Sequence, residues 1–349
     1  MLHAYQHFYQ CNKFKINFLL IIFIIITATS SFACTRILKY GNHSTIVGRT
    51  MDWSDDMNTM LIVYPRGISH TGSQTANALR WTSKYGSIVA TAYNLITTDG
   101  MNERGLAANM LWLDESDYGT RNENLPGLSI QYWVQYYLDN FQSVDEAVKF
   151  TESSSFQLLP YWQPKISEWV TVHLSLEDAS GDSAIIEYVN GIAHIYHNRS
   201  YIALTNSPTY DLQIKHLSSY QQYSNDHPLP GTTNSVDRFI RANFYAKRLS
   251  SLTSTSQQIS ELRSVINNVA QPYGEPTPER DGISPTIWSV ISDLTHKVYY
   301  FHASTSLNSI WAKLDKFNLQ QGAPVLYLDL SNVDELSGDV SDKFQAANM

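Results

Sequence analysis

Cysteine is almost missing from this sequence, which has two in 349 residues, Cys11 and Cys34. Exported proteins that use cysteine structurally use it in pairs, so so sparse a supply excludes a disulfide framework. Acidic residues are absent from the first 33 positions, and no apolar run reaches the roughly 20 residues that span a bilayer as a helix. A Gly-rich phosphate loop is missing, and none of the eleven histidines forms an HExxH zinc pattern. No metal or organic cofactor is therefore expected. No stretch after residue 33 reads as a linker and no repeat is present, so a single domain over 34–349 is expected. A surplus of positive charge is also lacking. The formal charge of −8 argues against nucleic acid or anionic membrane as a partner.

What the first 33 residues do contain is Lys13 and Lys15, then an apolar run of 13 residues from Ile16 to Ala28, then TSSFA. This is the layout of a secretory signal peptide, and a retained anchor would need a longer run. Ser31 and Ala33 supply the small residues that signal peptidase requires at the third and first positions before its cut. Cleavage after Ala33 makes Cys34 the first residue, removes Cys11 and takes the charge from −8 to −10. The mature chain is then expected in the periplasm or outside the cell, with no stable membrane insertion. Bacterial lipoproteins also begin at a cysteine, acylated on sulfur, but their signal carries Leu three residues earlier, where this chain has Ser31. A non-enzymatic envelope protein tethered through Cys34 is the alternative reading.

An N-terminal cysteine places a nucleophile and a base on one residue. The thiol has a pKa of about 8.5 and the α-amine about 7.7 to 8.0, so the amine can take the thiol proton and later return it to a leaving amine. Until the leader is cut, that nitrogen is an amide and cannot serve as base. Such a centre needs a cation near sulfur, a carboxylate to hold the amine, and donors for the oxyanion. Arg49 and Asp52, in GRTMDW, lie nearby on the strand expected to return from a hairpin beginning at Cys34. Three positions apart, they fall on opposite faces of that strand unless the chain bends after Thr50. Taken singly, the pair reads as a surface ion pair. Asn206 in TNSP reads as a turn residue, Arg238 as a solvated helix charge, and Trp53 and Trp112 as core or rim aromatics.

Short β-type runs recur, among them STIVGRT, TMLIVYP, GSIVATAY, GLAANMLWL, WVTVHLSL, SAIIEYV, TIWSVISDL and KVYYFHA. Thr98-Asp99-Gly100 and Asp178 to Asp182 carry tight-turn chemistry, and Asn190-Gly191 carries the type I′ hairpin signal. Helices are expected over Ser129 to Phe141, Ser143 to Ser153, Val236 to Leu249 and Ser256 to Val269, the second opening with a capping box. Antiparallel sheets with helices packed outside suggest a layered α+β fold.

Cys34 followed by GRTMDW, TTDGMNERGLAANMLWL (Thr97 to Leu113), LTNSPTYD (Leu204 to Asp211) and NSVDRFIRANFY (Asn234 to Tyr245) makes an ordered set. With LRWTSKYGS from Leu79 and LPGT from Leu229, the set resembles the choloylglycine hydrolase family of N-terminal nucleophile hydrolases, in particular the exported penicillin V acylases of Gram-negative bacteria. The resemblance runs from Cys34 to the 330s. It implies a four-layer αββα sandwich and hydrolysis of a linear amide through a thioester on Cys34. Arg49 is implied beside the thiolate, and Asp52 holding the amine. Asn206 and the backbone N–H of Trp112 would form the oxyanion hole, with Arg238 completing the polar cluster. It further implies a small acyl amide as substrate, penicillin V or an N-acyl homoserine lactone, and a homo-oligomer, a tetramer. Trp53 and Trp112 suggest an aromatic-lined acyl pocket.

Overall fold

Two strands set the frame. β1 (Ala33–Tyr40) and β2 (Thr45–Asp52) form an antiparallel hairpin in which Cys34 lies opposite Met51, and Arg36 opposite Arg49. They belong to a computed structural model that describes residues 33–94, 96–220, 228–250, 254–274 and 284–347. Of the expected leader, residues 1–33, all but Ala33 lie outside the described residues. Every residue of β2 is buried, as a central strand covered on both faces requires.

β1 and β2 sit inside a seven-stranded sheet. Its order is Ala203–Leu204, β1, β2, Thr286–Asp293, Val298–Ala303, Ile310–Lys313 and Gly338–Asp339. A nine-stranded sheet stacks on it, in the order Ile192–His197, Ser183–Val189, Val172–Asp178, Leu106–Trp112, Ile96–Asn102, Ser87–Ala92, Met60–Tyr64, Leu326–Asp329 and Gln345–Ala346. Helices close both outer faces. α1 (Trp133–Asn140) and α2 (Val144–Glu152) cover the larger sheet, while α3 (Tyr210–Ser218), α4 (Ser235–Ala246) and α5 (Thr255–Val269) lie on the β1–β2 side. The result is the expected αββα layering.

Local chemistry starts these helices where the sequence marks them. Ser143 Oγ accepts from the Glu146 N–H at the head of α2, and Ser254 Oγ from the Gln257 N–H at the head of α5. α3 has no such mark. Only Tyr210 and Gln213 of its residues are buried, so an apolar stripe is lacking, and its place is fixed by polar bonds described below.

Alternation along the hairpin separates two chemistries. Cys34, Arg36, Arg49 and Met51 point between the sheets, where Arg36 pairs with Glu177 at 2.8 Å and Arg49 approaches the carbonyls of Thr98 and Met110. Thr35, Thr50 and Asp52 point the other way, toward α4. Arg49 and Asp52 therefore do lie on opposite faces, with no bend after Thr50.

One expected turn is not a turn. Thr98-Asp99-Gly100 lies within the strand Ile96–Asn102, with Asp99 opposite Asn109 and Ala90. Gly100 is needed there for close approach, since a Cβ would come within 2.6 Å of the Ile88 carbonyl and 2.7 Å of Val89 Cγ1. The turns at Asp178–Asp182 and Asn190-Gly191 do form, with Gly181 at φ 83° and Asn190 and Gly191 at 51° and 74°. Among the described residues no helix is long and apolar enough to cross a membrane.

Candidate active site

Cys34 stands at the end of β1 and is buried, with its Sγ 3.7 Å from Arg49 Nη2 and 3.9 Å from Met51 Sδ. Burial pushes the thiol above its ordinary pKa, and the Arg49 charge opposes that shift. Arg49 is fixed by main-chain acceptors: Nη2 donates to the Met110 carbonyl at 2.7 Å and Nη1 to the Thr98 carbonyl at 3.2 Å. Its guanidinium also lies 5.2 Å from the centre of the Trp288 ring. Asp99 faces it from behind, Oδ2 being 3.7 Å from Nη1, and Asp99 Oδ1 accepts from the Tyr299 hydroxyl at 2.5 Å.

On the opposite side of the hairpin, Arg238 of α4 reaches back to the main chain of Cys34. Its Nη1 donates to the Cys34 carbonyl at 2.7 Å and to Thr35 Oγ1 at 2.5 Å, and Nη2 donates to Asn206 Oδ1 at 2.9 Å. Arg238 Nη1 also lies 4.0 Å from Asp52 Oδ2. Asp52 Oδ1 accepts from Thr286 Oγ1 at 2.5 Å, whereas its buried Oδ2 accepts no hydrogen bond. Burial raises both buried carboxyls, Asp52 and Asp99, to about 6, against the pull of Arg238 and Arg49 respectively. Two arginines and two aspartates thus balance around one thiol, as low-dielectric surroundings require.

Asn206 links the two sides. Oδ1 accepts the Cys34 backbone N–H at 2.5 Å, and Nδ2 donates to the Trp112 carbonyl at 2.8 Å. The Asn206 N–H donates to Ser235 Oγ at the head of α4 at 2.9 Å. Its carbonyl accepts from Gln213 Nε2 of α3, which donates at 2.9 Å to the Pro208 carbonyl as well. α3 therefore serves to brace the Asn206 turn.

Trp53 and Trp112 meet at 5.7 Å between ring centres and together line a cavity of about 50 Å³ that opens on Cys34. Trp53 Nε1 donates to the Tyr93 hydroxyl at 2.8 Å and Trp112 Nε1 to Asp114 Oδ1 at 2.6 Å, so each indole is fixed by its polar edge. Met51, Met57, Met110, Ile96 and Val172 make the rest largely apolar. A larger cleft of about 730 Å³, edged by Asp55, Asp56, Asp329 and Asp334, lies beyond the 53–59 segment and does not include Cys34. The thiol and the guanidinium of Arg49 line the smaller of the two.

All seven residues singled out in the sequence come together in this site. The matching family profile is that of the linear amide C–N hydrolases, choloylglycine hydrolase family, over residues 34–333. The chain belongs to this family. It is accordingly an enzyme of the linear amide hydrolase class. A choloylglycine-family relative, the penicillin V acylase of Pectobacterium atrosepticum, is 38% identical over 342 residues, 91% of either chain. The structure of penicillin V acylase from Agrobacterium tumefaciens matches with a TM-score of 0.84 at 41% identity, covering 90% of this chain and 98% of that one. A variant of the conjugated bile acid hydrolase from Clostridium perfringens shares the fold, with a TM-score of 0.73 at 22% identity over 85% and 97% of the chains.

Four residues around Cys34 were not singled out in the sequence: Met51, Asp99, Thr286 and Tyr299. Met51 stands inside GRTMDW and Asp99 inside TTDG, so both lay within motifs, but a buried carboxylate in a run shaped like a turn gives no separate signal. Tyr299 and Thr286 come from strands more than 180 positions away from Asp99 and Asp52; pairing of its strand with β2 brings Thr286 in, and stacking of the two sheets brings Tyr299 to Asp99.

Proposed function

We propose that this choloylglycine-family hydrolase is exported, cut after Ala33, and acts as a penicillin V acylase-like enzyme through the thiol and α-amine of Cys34. The observation that carries the proposal is Asp52 Oδ2, a buried carboxylate oxygen that accepts no hydrogen bond, on the residue paired with Ala33 across the hairpin from the bond to be cut, whose Cys34 nitrogen is already held by Asn206 Oδ1. Cutting the Ala33–Cys34 bond converts a nitrogen with one hydrogen into an amine. The added hydrogens then have a waiting acceptor.

In the proposed reaction the α-amine takes the thiol proton and Sγ attacks the amide carbon. The resulting oxyanion is held by the second hydrogen of Asn206 Nδ2 and by the Trp112 N–H. The ammonium then returns its proton to the departing amine nitrogen as the C–N bond breaks, leaving a thioester. Water, deprotonated by the same amine, hydrolyses the thioester and releases the acid. Arg49 offsets the charge developing on sulfur. A lipid-acylated sulfur fits poorly with a side chain 3% exposed between two sheets. The intact mass of the secreted protein tests processing: a chain beginning at unmodified Cys34 is expected, and retention of residues 1–33 in an active enzyme would sink the reading.

Acyl identity is expected to dominate specificity, because the aromatic cavity faces the acyl group. Trp53→Ala is expected to weaken kcat/KM on phenoxyacetyl amides by up to ~3 kcal/mol through lost apolar contact. Crossing two acyl groups with two amines in wild type and variant checks this. A shift along the amine axis alone would place Trp53 on the leaving-group side.

The pH profile offers a second check. Holding the ammonium requires Asp52 ionised, so activity is expected to fall below about pH 6. Unfolding would not explain that loss. Asp52 and Asp99 have raised pKa values in the fold, so between about 4 and about 6 the native state binds more protons than the unfolded state. Their contribution to stability therefore grows as pH falls through this window. Melting temperatures recorded beside kcat/KM separate the two effects, and full activity at pH 5 would remove Asp52 from the mechanism.

A further inference from the structure

The wall of the acyl cavity is closed on one side by a small hairpin, Tyr161–Gln163 paired with Glu168–Val170. Its outer face carries Trp162 and Trp169, packed edge to face at 5.5 Å, and its inner face presents Gln163 and Val170 to the cavity. Gln163 is 4% exposed. It is a polar side chain in a wall that is otherwise largely apolar.

Most of the other polar groups of that wall are engaged with the protein, Arg49 Nε being buried without a partner. Thr98 Oγ1 donates to the Ala90 carbonyl at 3.2 Å, the two indoles have the partners given above, and the Arg49 terminal nitrogens are bound to carbonyls. Gln163 differs. Its Oε1 accepts from the Lys165 backbone N–H at 3.2 Å, which fixes the oxygen end of the amide and leaves Nε2 as the donor end. Nε2 has no partner among the described residues. That donor end is not closed off from the cavity, so an acyl group seated there covers it, and covering a donor without supplying an acceptor is costly.

We propose that Gln163 is a specificity-determining residue that selects acyl groups carrying an oxygen acceptor, such as an ether or keto oxygen, over all-carbon acyl groups of the same shape. This rests on the placement of the acyl group in the cavity beside Cys34. Such an oxygen accepts from Gln163 Nε2, whereas a methylene in its place leaves the donor unmet and adds the cost of desolvating it to every turnover.

The test uses matched amides on the mature enzyme: phenoxyacetyl against 3-phenylpropanoyl p-nitroanilide, and 3-oxo-octanoyl against octanoyl homoserine lactone. Each pair differs by one oxygen. Inherent carbonyl reactivity cancels when the kcat/KM ratio within a pair is compared between wild type and Gln163→Met, which keeps side-chain volume and loses the donor. The oxygen preference of at least one pair is expected to fall about tenfold in the variant, the worth of one hydrogen bond. Unchanged ratios in both pairs, or equal loss on both members, would overturn the proposal. Calorimetric binding of phenoxyacetate and 3-phenylpropanoate to Cys34→Ala, with and without Gln163→Met, gives the same comparison without turnover. If wild type hydrolyses none of the amides, the proposed function fails, and the binding ratios still decide the role of Gln163 by the same tenfold criterion.

Discussion

Cys34→Ala is expected to yield a folded protein that has lost linear amide hydrolysis by roughly 10⁵-fold or more in kcat, the scale seen when a covalent nucleophile is removed. Nothing else in the cavity can take over. Of the two hydroxyls there, that of Thr98 is donated to a carbonyl and that of Tyr93 is held by Trp53 Nε1, and the Arg49 guanidinium is a cation, not a nucleophile. The main-chain bonds of residue 34, to Asn206 Oδ1 and from Arg238, do not involve sulfur and survive the change. The loss of one buried sulfur in contact with Met51 costs about 1 kcal/mol of stability. Tm and kcat measured on the same preparation separate chemistry from folding. Cys34→Ser is the finer probe: with the same weak base an alkoxide forms less readily than a thiolate, so slow but measurable turnover is expected. A serine variant as fast as wild type would contradict thiol chemistry.

Much of this site was legible because its parts sit in short ordered motifs. Cys34, Arg49 and Asp52 fall within one hairpin, and period-two alternation already placed Arg49 and Asp52 on opposite faces. The separation sorts their neighbours: Arg49 approaches the sulfur from between the sheets, and Asp52 lies on the α4 side with Arg238, which binds the Cys34 carbonyl. Arg238 illustrates the opposite case. By pattern it belongs on the wet side of an amphipathic helix, yet it is fully buried, because four acceptors around Cys34 and Asn206 replace its water.

What was illegible depends on side-chain contacts between distant segments, above all across the two stacked sheets. Asp99 resembled a turn residue because Asp-Gly is a turn signal, and only the Tyr299 hydroxyl and the Arg49 guanidinium make a carboxylate tolerable in mid-strand. Gln163 had no signal at all. It lies in no motif, and the direction of its amide is set by one backbone bond from Lys165. α3 stayed hidden for a related reason: its role is to hold Asn206 through Gln213, and polar bracing leaves no hydrophobic period to read.

Asn206→Ala is expected to lower kcat by about 3 to 4 kcal/mol, with KM changed far less, if the side chain donates to the oxyanion. The amide nitrogen carries two hydrogens, and the Trp112 carbonyl takes one at 2.8 Å, so one is left for the transition state. Alanine also strips the acceptor from the Cys34 nitrogen and from Arg238 Nη2, so part of its effect would be displacement of the nucleophile. Asn206→Asp resolves the two. It keeps an oxygen for Cys34 and Arg238 while removing both donors and adding a negative charge where the oxyanion forms. Its kcat is therefore expected to be at or below that of the alanine variant, even where its melting temperature is closer to wild type. An aspartate variant with near-normal kcat would show that Asn206 acts through position alone, and a loss confined to KM would assign it to substrate binding.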